Sequence, residues 1–423
     1  MLNKNNEREL AYIVTVDAVT PIEGYDRVEL AHVGGWTIVV GKNEFHAGDP
    51  AIYFEIDSKL PEVEPFTKME FLAKKGYKIK TQKMCKSLSQ GLLMSAANFG
   101  WKAHRNAAVF RDEEYLGDVK EIPGMTDTEG VIHYVDDESR FLTKQLNVTY
   151  AVPDDNIRKA ASADKYKKMA QRHGKLFSHQ PFRWLMKRTW GKKLLFTFFG
   201  KRKDKRTDWP AWVTKTDEER IENLPYLFSD KSEWIATEKI DGTSTTFTLK
   251  RGNKFKKDQF YICSRNVVFD KPDKKCYYDT NVYIEMAEKY DIYNKMKYLL
   301  HTHFKDCDWI TIQGETYGAG IQKRDYGISN HNFMAFNFIT SEVGRWSSVS
   351  MKHLLEDLFG IPCVPILNEN YVLPDTLDEL REYVDSQTSV IDGKIREGIV
   401  FRSQDGVRSF KCVSPTYLMT YHS

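Results

Sequence analysis

The chain has 423 residues, of which 41% are hydrophobic and 29% are charged, and its formal net charge is +3. This composition excludes a disordered or fibrous protein, and the length allows two domains with separate cores. No apolar run reaches the length that spans a bilayer and no signal peptide is recognisable, so we expect a cytoplasmic protein without a membrane partner. The six cysteines form no Cys-x-x-Cys pair, which favours a reducing compartment.

Residues 10–99 predict short strands separated by turn signals. The predicted strands are Leu10–Val16, Val28–Val33, Trp36–Val40, Ala51–Ile56, Tyr77–Met84 and Gly91–Met94. Gly34-Gly35 separates two of them, as the turn of a hairpin does. Strands at this spacing are typical of a small β-barrel. Six lysines cluster near the fifth strand (74, 75, 78, 80, 83 and 86), which fits either a nucleic-acid-binding surface or a solvated edge strand.

Residues 158–206 stand apart from the rest of the chain. They include 17 Lys or Arg against two acids, with aromatic residues interleaved, whereas the whole chain carries only +3. Such a segment is typical of a polyanion-binding region, because neutralising phosphates releases counterions. A basic amphipathic linker that lies on a membrane surface or in a partner's groove is the alternative.

The most informative segment is Glu238-Lys239-Ile240-Asp241-Gly242-Thr243. β-prone residues precede and follow it, so the pattern predicts a hairpin with Asp241-Gly242 as its turn. A lysine fixed beside a carboxylate at a strand end can act as a nucleophile if its amine is neutral. By itself the motif is weak, and a solvated surface lysine is the alternative.

Further strands downstream carry charged residues in otherwise apolar runs. They are Tyr261–Asn266, Trp309–Glu315, Phe333–Ile339, Glu397–Phe401 and Ser409–Val413. Because charge is costly inside the core of a sheet, we expect the charged strand ends to converge on a cavity.

In this order the segments resemble the motifs of the covalent nucleotidyltransferase superfamily, and most closely those of the ATP-dependent RNA ligases. The segment around Lys239 is similar to motif I, Ser264-Arg265-Asn266 to motif Ia, and residues 314–322 to motif III. Phe336-Asn337, residues 396–400 and residues 410–414 are similar to motifs IIIa, IV and V. Residues 212–223 resemble the lead-in of the subgroup with an N-terminal OB-type domain, and the front barrel resembles that domain.

The resemblance implies an α+β fold class. An N-terminal OB-like β-barrel would precede an antiparallel-sheet nucleotidyltransferase domain, which is unrelated to the ATP-grasp fold. We expect an OB-like nucleic-acid-binding domain in residues 1–140, a basic linker or insertion in 141–208, and an adenylyltransferase domain in 209–423.

The resemblance also implies an activity, the ATP-dependent joining of RNA 3′-hydroxyl and 5′-phosphate ends. ATP would donate AMP to a lysine, and an RNA-adenylate would follow. The expected catalytic residues are Lys239, Lys411 and Arg265. The expected nucleotide-binding residues are Glu238, Lys239, Arg265, Glu315, Phe336 and Lys411, with Phe336 stacked on adenine and Glu315 accepting from the ribose hydroxyls.

Asp241 and Glu397 are expected to hold Mg²⁺ or Mn²⁺, directly or through its waters. Burial, the nearby charge of Lys411 and this metal ion would all favour the neutral amine of Lys239. One residue departs from the family pattern, because motif V usually carries a second lysine where this chain has Val413. Candidates to replace that lysine are Arg402 and Arg408.

The expected partner is RNA, either a nicked duplex or RNA ends, and the expected state is a monomer. If the chain is viral, its location would be the host-cell cytoplasm. A DNA ligase or an mRNA capping guanylyltransferase is an alternative that shares the lysine chemistry. Such enzymes usually place an OB domain after motif V, where this chain has few residues left. A non-catalytic RNA-binding protein on a transferase scaffold is the alternative of another class.

Overall fold

The computed structural model of the protein divides into two units, one formed by Met1–Ala151 with Trp209–Ser423 and the other by Val152–Asp208. The structure describes residues 1–4, 7–99, 140–151, 179–186, 188, 190, 194–195, 209–215, 217–265, 267–269, 276, 278, 280–324 and 326–421. Most of the predicted basic segment, residues 158–206, therefore lies outside the described residues.

The front part of the first unit consists of short strands and one short helix. These are β1 (Ala11–Thr15), β2 (Ala18–Ile22), β3 (Tyr25–Val33), β4 (Trp36–Gly41), β5 (Pro50–Phe54), β6 (Ser58–Lys59), α1 (Glu70–Lys74), β7 (Thr81–Met84), β8 (Ser87–Gln90), β9 (Leu92–Met94) and β10 (Thr149–Tyr150). The strands pair in the orders β1-β5-β9, β2-β3-β4, β7-β8 and β10-β6. The hairpin predicted at Gly34-Gly35 is confirmed, because Val33 lies opposite Trp36.

Alternating side chains of these strands form the front core. In β4, Trp36, Ile38 and Val40 point inward while the residues between them are half-buried, as a strand with one covered face requires. The strands β2 and β8 were not predicted. The reason is their composition, since β2 contains Pro21 and the residues of β8 are largely polar (Ser87–Gln90).

In the second unit the structure describes the helix α2 (Gln180–Met186). Trp184 on this helix and Trp190 are both exposed, and the guanidinium carbon of Arg188 lies 3.9 Å from the ring centroid of Trp184.

Among the described residues, two five-stranded sheets form the back part of the first unit. Their strands are β11 (Glu219–Arg220), β12 (Glu233–Lys239), β13 (Thr243–Lys250), β14 (Gln259–Ser264), β15 (Trp309–Gly318), β16 (His331–Thr340), β17 (Gly344–Arg345), β18 (Ile366–Val372), β19 (Gly398–Ser403) and β20 (Ser409–Val413). Their orders are β11-β20-β19-β12-β18 and β14-β13-β15-β16-β17. Apart from the parallel pair β11–β20, the paired strands are antiparallel, which agrees with the predicted fold.

In the part of the chain that the structure describes, five α-helices accompany these sheets: α3 (Val282–Lys289), α4 (Ile292–Tyr298), α5 (Ser348–Lys352), α6 (Leu377–Ser386) and α7 (Pro415–Tyr421). Met286 of α3 and Met296 of α4 pack on Phe247 of β13, and Leu380 of α6 packs with Phe401 of β19. Within the described part of the chain, no helix is both long and apolar enough to cross a membrane.

The hairpin predicted at Asp241-Gly242 is wrong. β12 pairs with β18 on one edge and β19 on the other, whereas β13 pairs with β14 and β15 in the second sheet. The segment after Lys239 therefore carries the chain from one sheet to the other. Gly242 lies close against β15, since a Cβ built on it would lie 2.3 Å from the carbonyl oxygen of Thr316.

Candidate active site

The ends of two neighbouring strands bring Lys239 and Glu397 together. Lys239 is the last residue of β12 and lies opposite Gly398, the first residue of β19. Its amine is 2.7 Å from the Oε1 atom of Glu397, and the two side chains are 24% and 10% exposed. The predicted nucleophile therefore lies next to one predicted metal ligand at the mouth of the site.

Two tyrosines hold Asp241, the other predicted metal ligand. The backbone N–H of Asp241 donates to the hydroxyl oxygen of Tyr326 at 2.7 Å. Its Oδ2 atom accepts a hydrogen bond from the hydroxyl of Tyr417 at 2.7 Å, and Tyr417 on α7 is fully buried. Neither Tyr326 nor Tyr417 was predicted from the sequence, because both are distant from Asp241 in the chain.

Glu315 on β15 is the third carboxylate near Lys239. Burial raises the pKa of Glu315 to about 8, the charge of Lys239 opposes this, and Glu397 and Asp241 raise it further. Burial thus favours the neutral form of the Glu315 carboxyl, whereas the neighbouring amine of Lys239 favours its charged form.

The same charges act in the opposite direction on Lys239. Burial alone would lower the pKa of its amine, as expected from the sequence. Glu397 and Glu315 outweigh burial, and Asp241 adds to them, so the pKa of Lys239 is raised. The amine of the ligand-free protein is protonated at neutral pH, and nucleophilic attack requires that this carboxylate charge be offset.

Lys411 and Arg265 both interact electrostatically with Asp217. Arg265 forms an ion pair with Asp217. Burial lowers the pKa of Lys411 to about 8, against the opposing charge of Asp217. Burial would raise the pKa of Asp217, but Lys411 and Arg265 lower it, so the carboxylate stays charged. Asp217 belongs to the segment 212–223 that the sequence analysis identified, but its role was not predicted.

The front part of the chain also contributes to this region. The guanidinium carbon of Arg265 lies 4.9 Å from the ring centroid of Tyr150. The hydroxyl of Tyr150 in turn accepts a hydrogen bond from Nη1 of Arg8 at 2.7 Å, and Nε of Arg8 donates to buried Glu55 at 2.5 Å. Arg265 thus contacts both Asp217 and Tyr150 of β10.

Phe336 and Glu238 take different positions around Lys239. Half-buried Phe336 packs in a cluster with Ile240, next to the nucleophile. Glu238 is 1% exposed, and its carboxylate accepts hydrogen bonds from the hydroxyl of Ser389 and from the N–H of Val390, the latter at 2.9 Å. Because neighbouring strand residues face opposite sides of a sheet, Glu238 points away from the side that Lys239 occupies. Its nucleotide-binding role stays a prediction.

Val413, the position of the missing second lysine, is buried in the front core with Trp36 and Leu93. Of the candidate replacements, Arg402 is buried and donates to Glu218 at 3.0 Å. Arg408 pairs with Asp230 at 2.7 Å and lies over Trp234 at the opposite end of β12 from Lys239. Which of the two takes the place of the second lysine stays a prediction.

The donor set fits a hard divalent cation. Asp241, Glu315 and Glu397 surround a single amine, and carboxylate oxygens are the ligands that Mg²⁺ and Mn²⁺ prefer. Among the described residues, no group of three or more His, Cys, Asp or Glu side chains is arranged to hold a metal ion alone. A cation here would therefore keep several of its waters, as Mg²⁺ commonly does.

The region therefore combines a lysine amine at a strand end, neighbouring carboxylates, and the positive charges of Lys411 and Arg265. Such a combination suits nucleophilic attack on a phosphorus centre.

Two family models match the chain. A model described as RNA ligase matches residues 232–413, and one described as an OB-fold domain matches residues 10–96. The first includes Lys239, Asp241, Glu315, Glu397 and Lys411. No curated protein sequence matches the chain.

Solved structures of an RNA ligase from Naegleria gruberi are similar over nearly the whole chain. The structure with PPi is 23% identical, covers 97% of this chain and 98% of its own, and has a TM-score of 0.66. A mutant with AMP and Mn is 22% identical, with the same coverage and a TM-score of 0.64. A mutant with ATP and Mn is 22% identical, covers 98% of this chain and 100% of its own, and has a TM-score of 0.66. The predicted fold class, an OB-fold domain followed by a sheet-rich α+β domain, is confirmed.

Proposed function

We propose that the chain is an RNA ligase, with residues 232–413 as the matched domain, and that Lys239 is its adenylylated nucleophile. The amine displaces pyrophosphate from ATP and holds AMP through a phosphoramidate bond. The AMP passes to an RNA 5′-phosphate, and an RNA 3′-hydroxyl then displaces it to form the phosphodiester. The position of Lys239, 2.7 Å from Glu397 within the matched domain, is the observation that carries this proposal.

Asp241 and Glu397 are the proposed ligands of Mg²⁺ or Mn²⁺. When bound, the cation offsets the carboxylate charge that raises the pKa of Lys239, which favours the free amine. Tyr417 keeps the Asp241 carboxylate in place through its hydrogen bond. The Naegleria structures that contain Mn with AMP or ATP support this assignment by similarity of fold.

The nucleotide pocket is assigned to Glu238, Glu315, Phe336, Arg265 and Lys411. Phe336 offers its ring to the adenine, and Glu315 binds the ribose hydroxyls. Arg265 and Lys411 neutralise phosphate oxygens as charge moves to the leaving group. Arg265 and Lys411 both lower the pKa of Asp217, and this shared interaction supports a role of the two side chains in binding phosphate oxygens.

The substrate is RNA, proposed to be a nicked duplex or RNA ends, and the protein is proposed to act as a monomer. We keep the domain division at residues 1–140, 141–208 and 209–423 as part of the proposal. The match of residues 10–96 to an OB-fold domain supports a nucleic-acid-binding front domain.

Intact-mass spectrometry after incubation with ATP and Mn²⁺ tests the nucleophile. The wild-type protein should gain one adenylyl group on Lys239, and Lys239→Ala should gain none while still binding RNA. Lys305→Ala, a change of an exposed lysine at the far end of β15, is the matched control and should be adenylylated like the wild type. An adduct that survives in Lys239→Ala, or that forms with GTP and not with ATP, would overturn the proposal.

A further inference from the structure

Three lysines of the front domain share one face. Lys59 and Lys78 are direct partners in an isolated antiparallel bridge, and the N–H of Ile79 donates to the carbonyl of Ser58 at 2.9 Å. Ile79 is buried, and the residues on either side of it are half-buried. Because successive side chains of an extended segment alternate, Lys78 and Lys80 point to the same side as Lys59.

A fourth lysine, Lys323, joins them from the catalytic domain. Helix α7 packs against β7, and the guanidinium carbon of Arg324 lies 5.5 Å from the ring centroid of Tyr417 on this helix. The loop that contains Lys323 is thereby held beside the strand that follows Lys80. Burial lowers the pKa of Lys80, and the charges of Lys323 and Lys78 lower it further, which agrees with this proximity.

The four lysines adjoin the active site on two sides. Next to Lys323, the side-chain amide of Gln322 donates to the carbonyl of Gly242 at 2.8 Å, in the loop that follows Lys239. On the other side, the negative charge of Asp57 raises the pKa of Lys80 and so opposes the effect of the neighbouring lysines. Asp57 also lies 3.5 Å from Arg220, whose charge lowers the pKa of Lys411.

Like charges placed opposite each other on paired strands are destabilising unless an anion offsets them. Here the positive charge comes from several lysines on separate segments, Lys59, Lys78 and Lys80 at the front and Lys323 after β15, which suits a polyanion with several phosphates better than a single phosphate. Lysine also suits phosphate as a point charge without base specificity. We propose that Lys59, Lys78, Lys80 and Lys323, the lysine ridge, bind the sugar–phosphate backbone of the RNA that is sealed at Lys239.

This inference rests on the proposed function, so the experiment separates the two. Lys239 adenylylation needs no RNA and is measured first, by intact mass with ATP and Mn²⁺. RNA binding is then measured as Kd against salt concentration for the triple variant Lys78→Gln/Lys80→Gln/Lys323→Gln. The control triple variant Lys295→Gln/Lys297→Gln/Lys305→Gln removes the same charge from positions on and after α4, where Lys295 is half-buried and Lys297 and Lys305 are exposed.

The ridge variant should be adenylylated within twofold of the wild type. Its slope of log Kd against log salt should be smaller by about 2, because each lost phosphate contact removes about 0.7 to 0.9. Sealing should need at least tenfold more RNA for half-maximal rate, and replacing the three lysines with arginine should restore the salt slope. A ridge variant with the control's slope and RNA requirement would overturn this inference, while loss of the adduct from wild type would overturn the proposed function instead.

Discussion

At the scale of single residues, the chemistry of the site depends on the balance of charge around one amine. Burial favours the neutral form of Lys239, but Glu397 and Glu315 favour the charged form and prevail in the ligand-free protein. The residues that activate the nucleophile are therefore those that place and neutralise carboxylates. Tyr417 belongs to this set, because its hydroxyl binds the Oδ2 atom of Asp241.

Tyr417→Phe should weaken the binding of Mn²⁺ with little change in the fold. The substitution keeps the buried ring but removes the hydrogen bond to Asp241, and losing such a bond inside a protein costs about 1–3 kcal/mol. We expect Mn²⁺ affinity to fall at least fivefold, measured by electron paramagnetic resonance of free Mn²⁺, and the Mn²⁺ requirement for adenylylation to rise in parallel. Tyr421→Phe, which removes a hydroxyl from the ring stacked on Tyr417, is the control and should bind Mn²⁺ normally. Equal Mn²⁺ affinity in the two variants would contradict this role of Tyr417.

At the scale of elements, the site exists because consecutive strands belong to different sheets. β12 ends at Lys239 in one sheet, and β13 begins at Thr243 in the other. The short connection contains Asp241, whose charge acts on Lys239 together with the charges of Glu397 and Glu315. Gly242 permits the connection to lie close against β15, since a side chain there would meet the backbone of Thr316.

Gly242→Ala should disturb this connection. The added Cβ would lie 2.3 Å from the Thr316 oxygen and 2.9 Å from Cγ of Glu315, so the backbone or Glu315 must move. We expect a loss of about 1–3 kcal/mol in the free energy of unfolding, as is usual for overpacking, together with slower adenylylation. Urea unfolding and intact-mass time courses measure the two effects.

Gly360→Ala is the comparison for that variant. Its Cβ would meet nothing within 4 Å, although the φ of +62° makes the substitution strained. It should therefore lose stability, by about 1–2 kcal/mol, but keep its adenylylation rate. If Gly242→Ala also keeps the wild-type rate, the connection does not need a glycine for activity.

At the scale of the whole molecule, the front and back parts of the first unit share a core. Val413 and Leu418 from the end of the chain pack with Trp36, Ile38 and Leu93 of the front strands. Across the same boundary, the N–H of Gly35 donates to the carbonyl of Glu222 at 2.7 Å, and the indole N–H of Trp36 donates to Asn223 at 2.8 Å. We therefore expect the two parts to unfold together.

Leu418→Ala should destabilise both parts at once. Leu418 is 5% exposed, and truncating a buried leucine to alanine costs about 2–5 kcal/mol. Hydrogen exchange should increase in peptides from both β1–β5 and β12–β13. Leu358→Ala, at a 61% exposed position, should change the unfolding free energy by less than about 0.5 kcal/mol. Increased exchange confined to one part would show that the shared core does not couple them.

The sequence predicted the bounds of several strands better than it predicted which strands pair with each other. Strands with strong alternation or apolar runs, such as β4 and β20, were predicted close to their observed bounds. Local residue patterns report which face of a strand is buried, and this explains that success. The same patterns do not report which sheet a strand joins, and so Asp241-Gly242 was wrongly expected to close a hairpin.

By itself the sequence determined the fold class and the chemical groups of the site. The reason is that residues such as Lys239, Glu315, Glu397 and Lys411 lie in short motifs that follow one another along the chain in a recognisable order. Only the tertiary structure decided how those groups act on one another. The partners Asp217, Tyr150 and Tyr417 come from distant segments, and the pKa of a buried amine depends on distances across sheets and not on spacing along the chain. The same is true of the lysine ridge, whose charges are brought together by two domains packed around α7.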